Sequence, residues 1–396
     1  MSSAFSAVAP MIGYLYQIRY PLMEMLRTGE GKFLTIEKFD DIGIEDIDGK
    51  KTFVQLKHHG GGSLSDASVD LWKTIRIWCS GINNKTIDVS KTNFHIITTQ
   101  TASNNSIAYY MTPRGKNDNI GEDKIIEKLK YVSGNSVSKE NKEAYEEFKK
   151  TDLNDLKELI NNITIIDNAP SIIDLESKIK KYIKYSCPMQ HIDAFYSRLE
   201  GWWIKRVIDH LTIESLASIS YDELRCKIDD LREQFMLENL PIDFADDINI
   251  DTSIYQDKIF LNQLKLIGVK GNRCVNAIHD YYKASCQRSR WSREDLLAID
   301  EIEKYETKLE KVWERIFDSI VEELEYMEIC EENKIKCGRE IYKTIELDTQ
   351  INIRKNCSEA YVMRGSYQML ADKLKVGWHP DFKQMIGNII SNQKGA

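Results

Sequence analysis

The sequence predicts an α/β N-terminal domain followed by an all-α C-terminal domain, and three observations carry that prediction. Two β-type runs, residues 32–46 and 52–58, flank an Asp48-Gly49 dipeptide, a strong hairpin signal. A third run, residues 93–99 (NFHIITT), follows an amphipathic helical stretch at 66–82. From about residue 193 onward, apolar residues recur at helical spacing almost without interruption. A chain of 396 residues has room for two or three domains. The boundary is expected at Ser186-Cys187-Pro188, which gives domains of 1–185 and 186–396.

Each element has its own signal. Residues 13–26 place Tyr14, Leu15, Ile18, Leu22, Met25 and Leu26 at helical spacing, and Pro21 predicts a kink. Gly60-Gly61-Gly62-Ser63 reads as a loop. The helix at 66–82 turns Val69, Trp72, Ile75, Ile77 and Trp78 inward. Residues 122–184 are rich in Lys and Glu and helical, and 163–166 supplies one more strand to close the first domain. Helices are then expected at 194–211, 221–237, 257–266, 272–289, 292–327 and 361–375. Residues 296–327 read as one long amphipathic helix, with Ile299, Ile302, Tyr305, Leu309, Val312, Trp313, Ile316, Ile320 and Leu324 on its stripe. Ser292 and Asp295 are spaced as its capping box.

Composition narrows the function classes. The formal net charge is −8, so bulk attraction does not draw this chain to nucleic acid, and any such contact needs a local basic patch or a partner. None of the eight cysteines forms a CxxC pair or sits at zinc-ligand spacing from a histidine, which predicts reduced thiols in a cytoplasmic protein. No signal-peptide pattern and no apolar run of membrane-spanning length is present. No Gly-Lys-Ser/Thr follows the triple glycine, so any ATP is expected to bind another subunit.

The chemistry-bearing stretch is residues 37–57. Acids lie on its first strand and Gln55-x-Lys57 on its second, the layout of a metal-dependent nuclease site of the PD-(D/E)xK type, which implies a restriction-endonuclease-like domain. Phosphodiester hydrolysis needs a metal to neutralise the phosphate, an activated water and relief for the leaving oxygen. Mg²⁺ keeps several waters, so one or two carboxylates suffice. Side chains two apart in a strand share a face, so Gln55 and Lys57 point together while Val54 and Leu56 point away. The same alternation puts Glu37, Phe39, Asp41, Gly43 and Glu45 on one face and Asp40 on the other. A bulge would change the count and keep Asp40 among the candidates. A polar pair on an otherwise core-like strand needs partners, and a metal–carboxylate cluster supplies them.

The first 100 residues resemble the double-stranded DNA endonuclease domain that opens effectors of cyclic-nucleotide-signalling and other prokaryotic anti-phage systems. The matching stretches are GYLYQ (13–17), TIEKFDDI (35–42), VQLKHH (54–59), LWKTIRIW (71–78) and FHIITT (94–99). The resemblance implies Asp41 as metal carboxylate, Gln55 as second ligand, Lys57 as catalytic lysine, Glu37 as supporting acid and Gln17 as a lining residue, with Mg²⁺ (or Mn²⁺) as the metal. The neutral amide of Gln55 departs from the family pattern and offers a metal only its carbonyl oxygen. Residues 276–297, 195–203 (FYSRLEGWW) and 376–382 (VGWHPDF) resemble the C-terminal domain of ABC-three-component effectors. Together the halves are similar to the LmuA family of Lamassu defence systems. That family implies an SMC-like ATPase partner (LmuB-like), a small third subunit (LmuC-like), double-stranded DNA as substrate and a homo-oligomeric active state.

Four further signals are weighed from the sequence. His58 and His59 are placed to touch phosphate or pass protons, or to be solvated surface. Lys73, Arg76, Arg114 and Lys116 are candidates for the basic patch. Residues 287–293 (QRSRWSR) set three arginines around Trp291, expected as a partner-docking turn. Trp378-His379-Pro380 is expected as a packed helix terminus. The competing functional expectation is a catalytically weak or dead nuclease fold that serves as a DNA-binding or scaffold subunit.

Overall fold

The computed structural model describes residues 8–37, 40–59, 62–213, 218–246, 250–326 and 329–394. Phe39, Gly60, Gly61 and Met327, assigned above, lie outside the described residues. The chain divides into two compact units, Met1–Ser186 with Phe195–Asp229, and Cys187–Ala194 with Asp230–Ala396.

The first unit opens with α1 (Val8–Thr28), then β1 (Lys32–Ile36), β2 (Ile42–Asp46), β3 (Lys51–Lys57) and the short β4 (Ser63–Leu64). α2 (Val69–Asn83), β5 (Thr92–Thr98) and β6 (Thr101–Ala102) follow, then the single-turn helices α3 (Ile107–Tyr110) and α4 (Pro113–Lys116). Next come α5 (Glu122–Asn135), α6 (Lys142–Lys150), α7 (Leu153–Asn162), β7 (Ile163–Ile166) and α8 (Ile172–Ile183). α9 (Ile192–Thr212), β8 (Ile219–Ser220) and α10 (Tyr221–Gln234) complete the run. Six strands form a mixed sheet of order β7-β5-β3-β2-β1-β8. β3, β5 and β7 run parallel, and the β2–β3, β1–β2 and β1–β8 pairs are antiparallel. α2 buries Trp72, Ile75 and Trp78 into one core with Phe53, Phe94, Ile96, Ile163 and Ile165. Ile77, expected inward, is exposed.

Two expectations are corrected here. Residues 32–46 are not one strand: the chain turns back at 37–41, so that Ile36 pairs with Ile42. Glu37 takes a positive φ of 55°, the left-handed region that makes this reversal, and its N–H donates to the Asp41 carbonyl (3.2 Å). The domain boundary also moves, since residues 195–229 belong to the first unit. β8 pairs with β1, Trp203 Nε1 donates to the Ile18 carbonyl (2.7 Å) and Ile36 N–H donates to His210 Nε2 (3.3 Å). The stretch from 186 onward therefore contains a strand and is not wholly helical.

The second unit holds α11 (Ile259–Leu266), α12 (Asn272–Arg293), α13 (Glu301–Glu322), α14 (Glu331–Leu347), α15 (Ala360–Asp372) and α16 (Phe382–Lys394). α12 and α15 approach closely at Gly365, where a Cβ would meet the Asp280 carbonyl oxygen at 2.0 Å. Trp291, Tyr367 and Trp378 are fully buried. The long helix expected from 292 starts only at Glu301. Ser292 remains inside α12 with its Oγ on the Arg288 carbonyl, and Asp295 and Asp300 both take positive φ, so the Ser292–Asp295 capping box does not form. All eight cysteines are free. Among the described residues no helix is long and apolar enough to cross a membrane.

Candidate functional site

The β2–β3 ladder pairs Ile42 with Val54, so the next step of the register sets Asp41 beside Gln55. Asp41 is buried, and its Oδ2 accepts from the Leu56 amide across the strands (2.7 Å). Gln55 is 4% exposed, and its side-chain amide meets no hydrogen-bond partner among the described residues. Lys57 ends β3 half-buried and forms no ion pair among the described residues. Glu37 lies at the turn. Partial desolvation and then the Asp41 charge raise its pKa, and the Lys57 charge opposes both. The turn rather than strand alternation thus brings Glu37, Asp41, Gln55 and Lys57 together.

Asp40 is the candidate that alternation left open, and its side chain is used elsewhere. Its Oδ2 accepts from Trp78 Nε1 (2.8 Å) and its Oδ1 from the Asp41 amide (3.2 Å). Burial pushes its pKa up to about 7 despite the indole hydrogen bond. Asp40 therefore fastens the turn to α2, and Asp41 presents the carboxylate to β3. The sequence reading missed Trp78 as a contributor; the available signal was a Trp on an apolar helix face, whose N–H needs a partner.

His58 packs tilted against Tyr16 of α1 (ring centroids 4.9 Å, planes at 43°), its Nε2 is buried without a partner, and burial lowers its pKa. Gln17, next to Tyr16, is half-buried and makes no hydrogen bond to the four residues above. His59 Nε2 pairs with Asp70 Oδ2 of α2 (2.9 Å).

Of the residues named for a basic patch, Lys73 is exposed and forms no ion pair among the described residues, and the other three have partners. Arg76 pairs with Glu143 (2.5 Å), Arg114 with Asp167 (2.5 Å), and Lys116 donates to Thr164 Oγ1 (3.2 Å) while burial lowers its pKa. The docking turn at 287–293 is corrected: Trp291 is fully buried and donates to the Pro241 carbonyl (2.7 Å), and Arg288 pairs with the buried Glu306 (2.5 Å).

Among the described residues no three His, Cys, Asp or Glu side chains are grouped to hold a metal. The donors at the turn are two carboxylates, Asp41 and Glu37, and the Gln55 amide, which has no protein partner among the described residues and is not among the fully buried atoms. Oxygen donors of this kind fit a hard divalent cation that keeps several waters. A cation there would also relieve the mutual repulsion of Glu37 and Asp41.

Residues 260–386 match the family described as C-terminal domain 7 of the ABC-three component (ABC-3C) systems. This match indicates a component of such a system. No curated protein matches the chain. Among solved structures, the chain is similar to an Acinetobacter baumannii Cap4 SAVED/CARF-domain containing receptor with the cyclic trinucleotide 3'3'3'-cAAA. The identity is 15%, the match covers 62% of this chain and 53% of that one, and the TM-score is 0.34. A Moraxella osloensis Cap4 SAVED/CARF-domain containing receptor matches at 12% identity over 67% of this chain and 61% of that one, with a TM-score of 0.35. The chain thus spans between half and two thirds of the length of those receptors.

Proposed function

Taking the ABC-three-component match of the C-terminal region as premise, we propose that this chain is a DNA endonuclease effector of a prokaryotic anti-phage and anti-plasmid defence complex. Its first unit is read as a restriction-endonuclease-like domain related to the LmuA effectors, using Mg²⁺ (or Mn²⁺). The observation that supports this reading is the turn that sets Asp41 beside a buried, unpartnered Gln55 two residues from an unpaired Lys57.

Asp41 and the Gln55 carbonyl, with Glu37 beside them, would hold the ion. A divalent metal held there would neutralise phosphate charge and make a neighbouring water more acidic. The Lys57 ammonium orients the attacking water by hydrogen bonding and offsets negative charge as it grows on the phosphoryl oxygens. Asp40, held by Trp78, fixes the backbone from which Asp41 projects. With no P-loop in the sequence, ATP-driven sensing falls to an SMC-like partner that holds the effector inactive, and oligomerisation releases it.

The test is cleavage of plasmid DNA with Mg²⁺ by wild type, Lys57→Ala and Asp41→Asn, each alone and with an SMC-like subunit. Either substitution is expected to lower the rate by about 10²-fold or more. Cleavage that persists in both variants would show that the site is elsewhere. Sedimentation velocity on the cleaving species tests oligomerisation, and a monomer alone would remove that part.

A second reading is a catalytically weak or dead nuclease fold that acts as a DNA-binding or scaffold subunit. The neutral Gln55 and the lack of a three-residue ligand cluster among the described residues favour it. Equal protection of cells by wild type and Lys57→Ala would select it.

A further inference from the structure

α8 has two unlike faces. Leu175, Ile179 and Ile183 are buried, and the helix lies beside α1. Lys178 and Lys181 lie on its exposed side, Lys184 caps the helix and Tyr185 follows it, while Tyr182, seven residues on from Leu175, borders the buried stripe. All five are exposed, Tyr185 by 86%. Lys184 Nζ stands 4.6 Å from the centroid of the Tyr185 ring. Lys180 turns aside to Glu176 and the Tyr196 ring.

Four arginines of this unit are paired, Arg76 with Glu143, Arg114 with Asp167, Arg206 with Glu223 and Arg225 with Glu30, whereas Lys57 at the candidate site and the exposed Lys73 are not. Lys178, Lys181 and Lys184 form no ion pair among the described residues. Lysines near a helix C-terminus complement its dipole, which accounts for one such charge. It does not account for three, nor for the Tyr185 ring held out to water beside them. The concentration of positive charge is also opposite to the net −8 of the whole chain.

We propose that the strip Lys178, Lys181, Tyr182, Lys184 and Tyr185 contacts the phosphate backbone of duplex DNA. The lysines rise along about 9 Å of helix axis, the scale of a few successive phosphates on one strand. Ammonium groups bind such a polyanion by releasing its counterions, and the tyrosine hydroxyls donate to phosphate oxygens. The strip belongs to the unit that carries the candidate site. Tyr16, which packs against His58, donates from its hydroxyl to the Pro170 carbonyl (3.1 Å), and Arg19 donates to the Ile172 carbonyl (3.3 Å), which ties the start of α8 to α1, the helix that touches His58. The proposal rests on the nuclease reading only for the identity of the polyanion.

The test is fluorescence anisotropy of a labelled duplex with the full chain, in EDTA so that nothing is cleaved, over a series of salt concentrations. The K178Q/K181Q/K184Q variant should bind at least about tenfold more weakly at low salt, with a salt slope smaller by about three. Tyr182→Ala with Tyr185→Ala should weaken binding and leave the slope nearly unchanged. Unaltered thermal melting of both variants excludes misfolding. Failure of wild type to bind duplex at low salt overturns the proposal, as does unchanged affinity and slope in the lysine variant. Unchanged binding with a shifted sedimentation coefficient would reassign the strip to a second copy of the chain. Lys57→Ala separates the two claims: it should bind DNA like wild type and fail to cleave. Loss of binding in the lysine variant, with no cleavage by wild type under any condition, would keep the strip and remove the nuclease.

Discussion

Two buried glutamines, one in each unit, have opposite surroundings. Gln287 in the second unit is fully buried, and its hydrogen-bonding capacity is used. Its Nε2 donates to the Pro241 carbonyl and Asp243 Oδ2 (3.1 Å each), and its Oε1 accepts from the Asp243 amide (2.8 Å) and the Tyr361 hydroxyl (3.0 Å). Gln55 in the first unit is nearly as buried, and its amide has no partner among the described residues. A satisfied buried polar group fixes an architecture, whereas the Gln55 amide atoms, which are not among the fully buried unpartnered ones, keep contact with solvent and stay open to a ligand. The difference teaches where to look for a ligand: Gln287 belongs to the scaffold, and Gln55 awaits something from outside.

The largest effect is expected at the buried Arg288–Glu306 pair, next in sequence to Gln287. Arg288→Ala strands Glu306 and should destabilise the chain by about 3–5 kcal/mol. Lys373 and Lys375, 3.5 and 3.6 Å from the Glu306 oxygens, place the loss toward the low end. Urea denaturation reads it, and a shift below about 1 kcal/mol, typical of a surface pair, would mean that the buried pair is not scaffold. The matched glutamine pair sharpens the contrast. Gln287→Leu should cost about 1–3 kcal/mol for each group it strands. Gln55→Leu should leave stability level or slightly higher while plasmid cleavage is lost, the trade-off expected of a functional site. Equal destabilisation by the two would erase the comparison.

A smaller loss is expected at Trp78, where the site leans on the core. Trp78→Phe removes the indole donor from Asp40 and should cost about 1–3 kcal/mol, and cleavage should fall because Asp41 shares that turn. Trp291→Phe removes a similar bond in the second unit, but the Pro241 carbonyl keeps Gln287 as a donor, so the cost should be about 1 kcal/mol. Cleavage unchanged in Trp78→Phe would show that Asp40 does not position Asp41.

What the sequence made legible follows the range of the interactions. The β3 alternation, the Asp48-Gly49 hairpin, α2 and β5 are local patterns, and with them came Gln55 and Lys57 as a pair beside the acids. The reversal at 37–41 was not legible, because Glu37 adopts its positive φ to serve the β1–β2 pairing. The place of β8 and the loyalty of α9 depend on partners far away in the chain, such as Trp203 with Ile18. The QRSRW run looked like surface for the same reason: nothing near Trp291 or Arg288 announces Pro241 or Glu306. The choice between Asp40 and Asp41 needed the position of Trp78, which helical spacing turns inward without saying what its N–H meets.

The smallest effect separates burial from function at a third polar group, His95 on β5. Burial lowers its pKa, chiefly offset by Glu24, while Arg27 and Lys116 act with burial. The folded state thus holds His95 neutral at a pH where the unfolded chain begins to protonate. Below the unfolded value of about 6.5 the unfolded chain binds the extra proton, so stability is lost as pH falls through that range toward the folded pKa. Above it the contribution is fully present. His95→Gln should flatten this part of the thermal-stability profile, measured by melting from neutral to mildly acidic pH, and should leave cleavage at neutral pH near wild type. An unchanged profile would mean that other groups carry the acid sensitivity. Lost cleavage would extend the functional site across the β3–β5 pairing, and burial without function would no longer describe His95.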